Sequence, residues 1–218
     1  MDKTSIKIIK DKYIYLRDKY PIVIFAVSFF TYFTILHLLT YPFINYSTDF
    51  YKLYAESSID KYVNNHFGSS RQSRFEYNDS TDILSLYTVY YNKVNPDGTL
   101  IQKAISINMY TESYIPLIFL IALFLAENIA LKSKLKRLLI ALLILSTYLI
   151  FKITAITFDN FSYPEFAIYD FEGFMGNIIF YYNKLIKSTG NSINYIIVAI
   201  IWVILGKLVQ DKFFNDIK

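Results

Sequence analysis

Cysteine is absent from this chain, which excludes disulfide bonds, thiolate metal sites and a cysteine nucleophile. Only two histidines occur, His37 and His66, and their wide separation in sequence excludes a histidine-rich metal site on one chain. The 6 glycines and 5 prolines are too few for long disordered linkers. We therefore expect neither a metal ion nor a cofactor.

Charged residues are also scarce, since they make up 18% of the chain whereas a typical soluble domain carries roughly 25%. Hydrophobic residues make up 54% and aromatic residues 19%. With so few charged side chains, much of the surface must face something other than water. The composition therefore predicts a protein that contacts the lipid bilayer.

Four apolar stretches are long enough to be membrane-spanning helices, each of which needs about 20 mostly apolar residues. The first stretch contains no charge, the second and third contain Glu127 and Lys152, and Lys207 lies near the end of the fourth. The predicted spans are residues 21–43, 114–131, 138–157 and 193–209. We therefore predict a mainly α-helical membrane protein with four transmembrane helices.

Lysine and arginine are unevenly distributed among the segments that flank these spans. Short loops rich in these residues stay in the cytoplasm. The basic segments are 1–20, 132–137 and 210–218, and a count of four spans places all three on one side. We therefore predict a protein of the cytoplasmic membrane with both termini inside, and with residues 44–113 and 158–192 outside.

The outside segment 44–113 has the pattern of a small α+β domain. A helix is predicted up to His66, and a β-hairpin follows it. The sequence Asn-Pro-Asp-Gly at residues 95–98 favours a tight turn, and apolar residues alternate with polar ones from 101 to 109. We therefore predict a hairpin with one buried face, and residues 73–77 are a candidate third strand.

The second outside segment contains an amphipathic helix, predicted over residues 171–187. Apolar residues recur there at steps of three and four, and the predicted interaction surface consists of Phe171, Phe174, Met175, Ile178, Ile179 and Tyr182. An apolar stripe looks the same against lipid as against protein. The helix therefore either lies in the outer headgroup layer or covers the hairpin of the outside domain.

Polar residues within or beside the spans are candidate functional residues. His37 and Lys152 lie in the outer thirds of the first and third spans, and Asp159 and Glu165 follow the third. These four would form a polar cluster suited to a proton relay or to binding a lipid headgroup. Alternatively, Lys152 reaches the interface and His37 bonds a backbone carbonyl. Glu127 is expected to form a salt bridge with a nearby lysine.

Sequence signatures of catalysis are absent, including the serine hydrolase, phosphate-loop, zinc protease and dinucleotide motifs. We therefore predict no catalytic residues. The chain also has no basic and aromatic stripe outside the predicted spans, which argues against nucleic-acid binding.

The layout resembles the small membrane proteins that accompany bacterial exosortases, in particular exosortase H-associated membrane proteins. The resemblance rests on Tyr-Ile-Pro-Leu at residues 114–117, on residues 123–127 and on the basic turn before Leu138. It implies a role in cell-envelope protein sorting or surface-polymer assembly, and it supplies no catalytic residues. Exosortases use a cysteine nucleophile, which this chain lacks, so the resemblance implies an accessory protein and not the transpeptidase.

Three functions follow from the sequence as hypotheses. The first is a non-enzymatic accessory subunit that docks a larger integral membrane protein through its outside domain. The second is a lipid or small-molecule transport component that uses His37 and Lys152 beside a cavity. The third is a membrane enzyme that acts on a lipid-linked substrate through Lys152, Asp159 or Glu165. The many aromatic residues outside the spans suit protein contacts and favour the first.

Overall fold

The computed structural model describes residues 18–61, 71–78, 83–163 and 172–206, together with residues 12 and 14–16. The helices are α1 (Pro21–Thr40), α2 (Ile44–Tyr54), α3 (Ile115–Ala126), α4 (Leu131–Phe161), α5 (Gly173–Thr189) and α6 (Ser192–Leu205). The strands are β1 (Arg71–Asn78), β2 (Ile83–Val94) and β3 (Leu100–Asn108). A 3₁₀ turn (Tyr41–Phe43) joins α1 to α2, and π-helical turns follow α2 (Ala55–Asp60) and precede α3 (Tyr110–Tyr114).

Two helices, α1 and α4, are long and apolar enough to cross a membrane. Helices α5 and α6 count as a third span if they are taken as one broken helix, although the chain bends by 105° between them. The predicted span 114–131 corresponds to a shorter apolar helix that runs from Tyr110 to Ala126. The chain is therefore a mainly helical protein with apolar helices suited to a membrane.

Helix α4 is longer than the predicted span 138–157, because it runs for 31 residues. The basic segment 132–137 was predicted as a turn, but it forms the first turns of this helix. Lysine, leucine and arginine have high helix propensity, and the segment contains no glycine or proline that would end a helix. The chain reverses earlier instead, because α3 ends at Ala126 and Glu127 has an extended backbone.

The sheet has the strand order β1-β2-β3, and both strand pairs are antiparallel. Strands β2 and β3 form the predicted hairpin, and β1 is the third strand that residues 73–77 indicated. On β3, Ile105 and Ile107 are buried, whereas the alternating residues Ala104, Ser106 and Asn108 are exposed. This alternation confirms the predicted buried face.

The hairpin turn is held by short-range hydrogen bonds around Asp97. The Thr99 hydroxyl and the Thr99 backbone N–H both donate to the Asp97 carboxylate, at 2.7 and 3.0 Å. These hydrogen bonds favour the charged form, so they lower the pKa of Asp97. Gly98 has a φ of 84°, a conformation that glycine adopts without steric cost.

The core of the helical bundle continues into the segment that contains α2 and the sheet. Buried residues of α3, α4 and α6 form one cluster with residues of β3 and of the turn after α2, namely Leu120, Phe124, Leu145, Leu149, Val198, Ile105, Ile107 and Ile59. The Tyr54 hydroxyl also lies 2.8 Å from the Thr154 hydroxyl of α4. Strand β3, α2 and the turn after α2 therefore share one core with the bundle.

Contacts at the two ends of the bundle show the direction of each helix. At one end, the Phe25 ring at the start of α1 lies 5.4 Å from the Trp202 ring near the end of α6. At the same end, Arg137 at the start of α4 donates to the Gly206 carbonyl, at 2.6 Å. At the other end, Tyr114 donates to the carbonyl of His37 near the end of α1. Helices α1 and α4 therefore run in one direction, and α3 and α6 run in the opposite direction.

Candidate functional site

Lys152 lies in a buried polar cluster that joins α4 to the turn before α3 and to α6. Its ammonium donates to the Glu112 carboxylate at 2.5 Å and to the Asn194 side-chain carbonyl at 2.9 Å. The Asn194 amide donates to the same Glu112 oxygen, also at 2.9 Å. The three side chains therefore form a closed triangle of hydrogen bonds, which we call the Lys152 cluster.

Tyr148 adds a fourth partner to the Lys152 cluster from the preceding turn of α4. Residues four apart on a helix face the same side, and the Tyr148 hydroxyl donates to the Asn194 side-chain carbonyl at 3.2 Å. Asn194 thus donates through its amide and accepts through its carbonyl, which uses both ends of the group. An asparagine suits this position better than an acid or an amine because it can do both.

The Lys152 side chain is 1% exposed, and the Glu112 side chain is 14% exposed. An isolated charge at such a position would cost several kcal/mol, on the order of the penalty for an unpaired buried ion. The opposite charge of Glu112 and the amide of Asn194 offset this penalty. The arrangement can hold α3, α4 and α6 in register, and its charges face one another and not the solvent.

His37 lies apart from the Lys152 cluster, in a group of aromatic rings. Its ring is 5.7 Å from those of Tyr41 and Tyr114 and 6.1 Å from that of Tyr110, measured between ring centroids. Among the described residues, its Nδ1 atom is buried without a hydrogen-bond partner. The structure thus shows no bond between His37 and Lys152, although both belong to the predicted polar cluster.

Asp159 also belongs to a separate network. Its carboxylate lies 2.7 Å from the Lys187 ammonium of α5, and the Tyr163 hydroxyl accepts from the same ammonium at 2.8 Å. Asp159 and Lys152 are seven residues apart on α4, which separates them by about 10 Å along the helix axis. Glu165 lies outside the described residues. The four predicted residues therefore do not form one cluster within the described part of the chain.

Helix α5 begins at Gly173 and ends at Thr189, close to the prediction of 171–187. It packs against α4, where the Asn183 amide donates to the Ala155 carbonyl at 2.8 Å and the Tyr182 ring lies 4.9 Å from the Phe151 ring, measured between centroids. The predicted interaction surface divides between two environments. Ile179 is buried and Ile178 and Tyr182 are half-buried, Phe174 and Met175 are exposed, and Phe171 lies outside the described residues.

Glu127 lies at the opposite end of the bundle, and its cationic partner is an arginine. The carboxylate is 3.8 Å from the Arg137 guanidinium, whereas the sequence predicted a pair with lysine. Lys134 instead donates to the Leu125 carbonyl at the end of α3, at 2.8 Å. The early start of α4 explains the difference, because it places Arg137 two turns inside the helix and beside α3.

Two members of the Lys152 cluster were not predicted from the sequence. Glu112 was assigned to the outside domain because it precedes the apolar stretch, and Asn194 was treated as an ordinary residue at the start of the last span. The available signal was a polar side chain within or beside each of three predicted spans, which is a usual mark of interhelical pairing in membrane proteins.

Comparison with known proteins assigns the chain to no family, since no family model, no curated protein and no solved structure matches it. The resemblance to exosortase-associated membrane proteins therefore stays a prediction, and the function is argued from the residues and their contacts.

Proposed function

We propose that this protein is a non-enzymatic accessory subunit of a bacterial cell-envelope membrane complex. Its outside domain, residues 44–113, docks a larger integral membrane protein, and its helices hold that domain at the membrane surface. The resemblance to exosortase-associated proteins, if it extends to function, places such a complex in protein sorting or surface-polymer assembly.

The observation that carries this proposal is the closure of the Lys152 cluster. A transport or catalytic site must exchange its contents with the surroundings, so its polar groups face a cavity or a substrate. Lys152 is 1% exposed, and its ammonium is engaged by Glu112 and Asn194. A group that is paired in this way stabilises the arrangement of helices, which is what a scaffold requires.

The proposal includes a topology of four spans with both termini in the cytoplasm. The contacts at the bundle ends support it, because α1, α3, α4 and α6 alternate in direction. The apolar helix from Tyr110 to Ala126 is about 25 Å long at 1.5 Å per residue, close to the roughly 30 Å of a hydrocarbon core. The lysine-rich start of α4 lies at the end assigned to the cytoplasm.

The exposed face of β3 is the proposed docking surface. Ala104, Ser106 and Asn108 are small, and they project from the face opposite the buried isoleucines. Small side chains on a sheet leave a flat surface onto which a partner can pack closely. Strand β3 is also an edge strand of the described sheet, and such strands recruit extended segments of other proteins.

Co-purification in mild detergent tests the proposal. We expect the wild-type chain to retain a larger integral membrane protein, and we expect Ser106→Arg to lose it because a long charged side chain would stand in the contact. Ser188→Arg is the matched control, since Ser188 is an exposed serine on α5. Retention by the control and loss by Ser106→Arg would support the proposal. If wild type retains no partner, or if both variants behave alike, the docking role is wrong.

A second candidate function is lipid or small-molecule transport, and the buried Nδ1 of His37 favours it because this atom has no hydrogen-bond partner among the described residues. His37→Phe keeps an aromatic ring beside Tyr41 and Tyr114 but removes the titratable nitrogen. A scaffold should support growth or surface assembly equally well with this variant, whereas a transporter that uses His37 should lose its activity.

A further inference from the structure

Helix α5 lies across the direction of the bundle. The chain bends by 105° between α5 and α6, at Gly190 and Asn191, and Gly190 has a φ of 56° that allows the sharp turn. Since α6 runs along the bundle in the proposed topology, a bend of this size places the axis of α5 close to the membrane plane.

The position of α5 along the bundle axis follows from its ion pair with α4. Lys187 pairs with Asp159, which is 22 residues after Arg137 on the same helix. At 1.5 Å per residue the two positions are about 33 Å apart, close to the roughly 30 Å thickness of a hydrocarbon core. If Arg137 lies at the inner boundary, Lys187 and the end of α5 lie at the level of the outer headgroups.

The surface of α5 divides into three sides. Gly176, Ile179 and Asn183 form the buried side, and Asn183 bonds to α4. The opposite side is apolar and exposed, with Phe174 at 79% and Leu185 at 47% exposure, and Tyr181 lies at its edge. Between these two sides lies an exposed strip that contains the polar residues Asn177, Lys184 and Ser188 and the ring of Phe180.

An exposed apolar surface also follows the bend, on α6. Tyr195, Ile196 and Ile200 are exposed on α6, directly after the bend. In the proposed topology these side chains face lipid tails because α6 crosses the bilayer. The exposed apolar residues thus run along the bundle on α6 and lie in the membrane plane on α5. This arrangement follows the boundary between lipid tails and headgroups. Lys184, on the polar side, suits the phosphate groups above that boundary.

We propose that outer-leaflet phospholipids occupy the exposed apolar side of α5, so that this helix is an interfacial anchor. Its tyrosine and phenylalanine side chains enter the acyl boundary, and its polar side faces the headgroups. This inference rests on the proposed topology and not on the accessory role. It divides the predicted interaction surface in another way than a contact with the hairpin: the buried side of α5 packs on the bundle, and the opposite, exposed side contacts lipid.

Site-directed fluorescence tests this inference, and the absence of cysteine makes the labelling specific. Phe174→Cys and Leu185→Cys carry the label on the apolar side, and Asn177→Cys and Lys184→Cys carry it on the polar side. All four positions are exposed, so the substitutions should not disturb packing. The purified full-length variants are placed in nanodiscs of phosphatidylcholine with phosphatidylglycerol, and each label is quenched by brominated lipid and by aqueous iodide.

We expect brominated lipid to quench the label at 174 and 185 more strongly than at 177 and 184, and iodide to show the reverse order. Equal iodide quenching at all four positions would overturn the inference, because α5 would then lie in water. Protection of 174 and 185 from both quenchers would also overturn it, because protein and not lipid would cover that side. Since no partner is present, a failure here leaves the docking role to its own test. A wrong topology would be detected separately, by maleimide labelling at the start of α4.

Discussion

Lys152 is the only charged residue of α4 between residues 138 and 158, and its environment illustrates what a single charge requires inside an apolar bundle. The ammonium is neutralised by Glu112, which comes from a different helical element 40 positions earlier in the sequence. Asn194 then connects both to α6. One charge therefore determines how three segments of the chain meet.

Removing one partner of this pair should cost more than removing both. We expect Lys152→Met to reduce the free energy of unfolding by about 3 kcal/mol, because it leaves the Glu112 carboxylate without its counter-ion. Lys152→Met combined with Glu112→Gln should regain part of this loss. Thermal unfolding in detergent measures both effects. Lys136→Met, at an exposed position of the same helix, is the control. If Lys152→Met is as stable as Lys136→Met, the structural role of Lys152 is contradicted.

Gly206, at the end of α6, has no room for a side chain. A Cβ atom there would lie 2.6 Å from the Glu127 carboxylate and would also overlap the Trp202 carbonyl. We expect Gly206→Ala to destabilise the protein by about 2 kcal/mol, the usual cost of overpacking. Ala199→Ser adds one heavy atom on the exposed side of the same helix and should have little effect. Equal melting temperatures for the two variants would show that this end of the bundle is loosely packed.

At the scale of elements, periodicity predicted the hairpin and α5, because both patterns depend only on which face of an element is buried. The isoleucines of β3 and the stripe of α5 are examples. The start of α4 could not be predicted in this way. Its lysines predict a cytoplasmic segment, but whether they belong to a turn or to a helix depends on where α3 ends.

The hairpin turn should respond to acid through Asp97. Hydrogen bonds from Thr99 lower the pKa of Asp97 in the folded protein, so their stabilising contribution is present above the ordinary carboxyl pKa of about 3.9. This contribution is lost as the pH falls through the lowered pKa that Asp97 has in the folded protein. An NMR titration of the Asp97 carboxyl measures this pKa. Thr99→Val removes the hydroxyl and should return the pKa towards the ordinary value, whereas an unchanged pKa would exclude the hydroxyl as the cause.

At the scale of the whole molecule, the sequence predicted a helical membrane protein but not the contacts that hold its helices together. Composition and apolar runs show which segments face lipid and which face water. They describe each segment by itself and not its contacts with other segments. The pairing of Lys152 with Glu112, and the separation of His37 and Asp159 into other networks, depend on helix rotation and depth. These quantities are determined by packing between distant segments, which hydropathy does not encode.

The orientation of the chain is the claim on which the proposed docking surface and the interfacial helix both depend. Single cysteines at the hairpin turn (Pro96→Cys) and at the start of α4 (Lys132→Cys) report it directly, because both positions are exposed and no native cysteine competes. Intact spheroplasts are treated with a membrane-impermeant maleimide before and after permeabilisation. We predict labelling of the cysteine at 96 in intact spheroplasts and labelling of that at 132 only after permeabilisation. Labelling of position 132 in intact spheroplasts, or protection of position 96, would contradict this orientation.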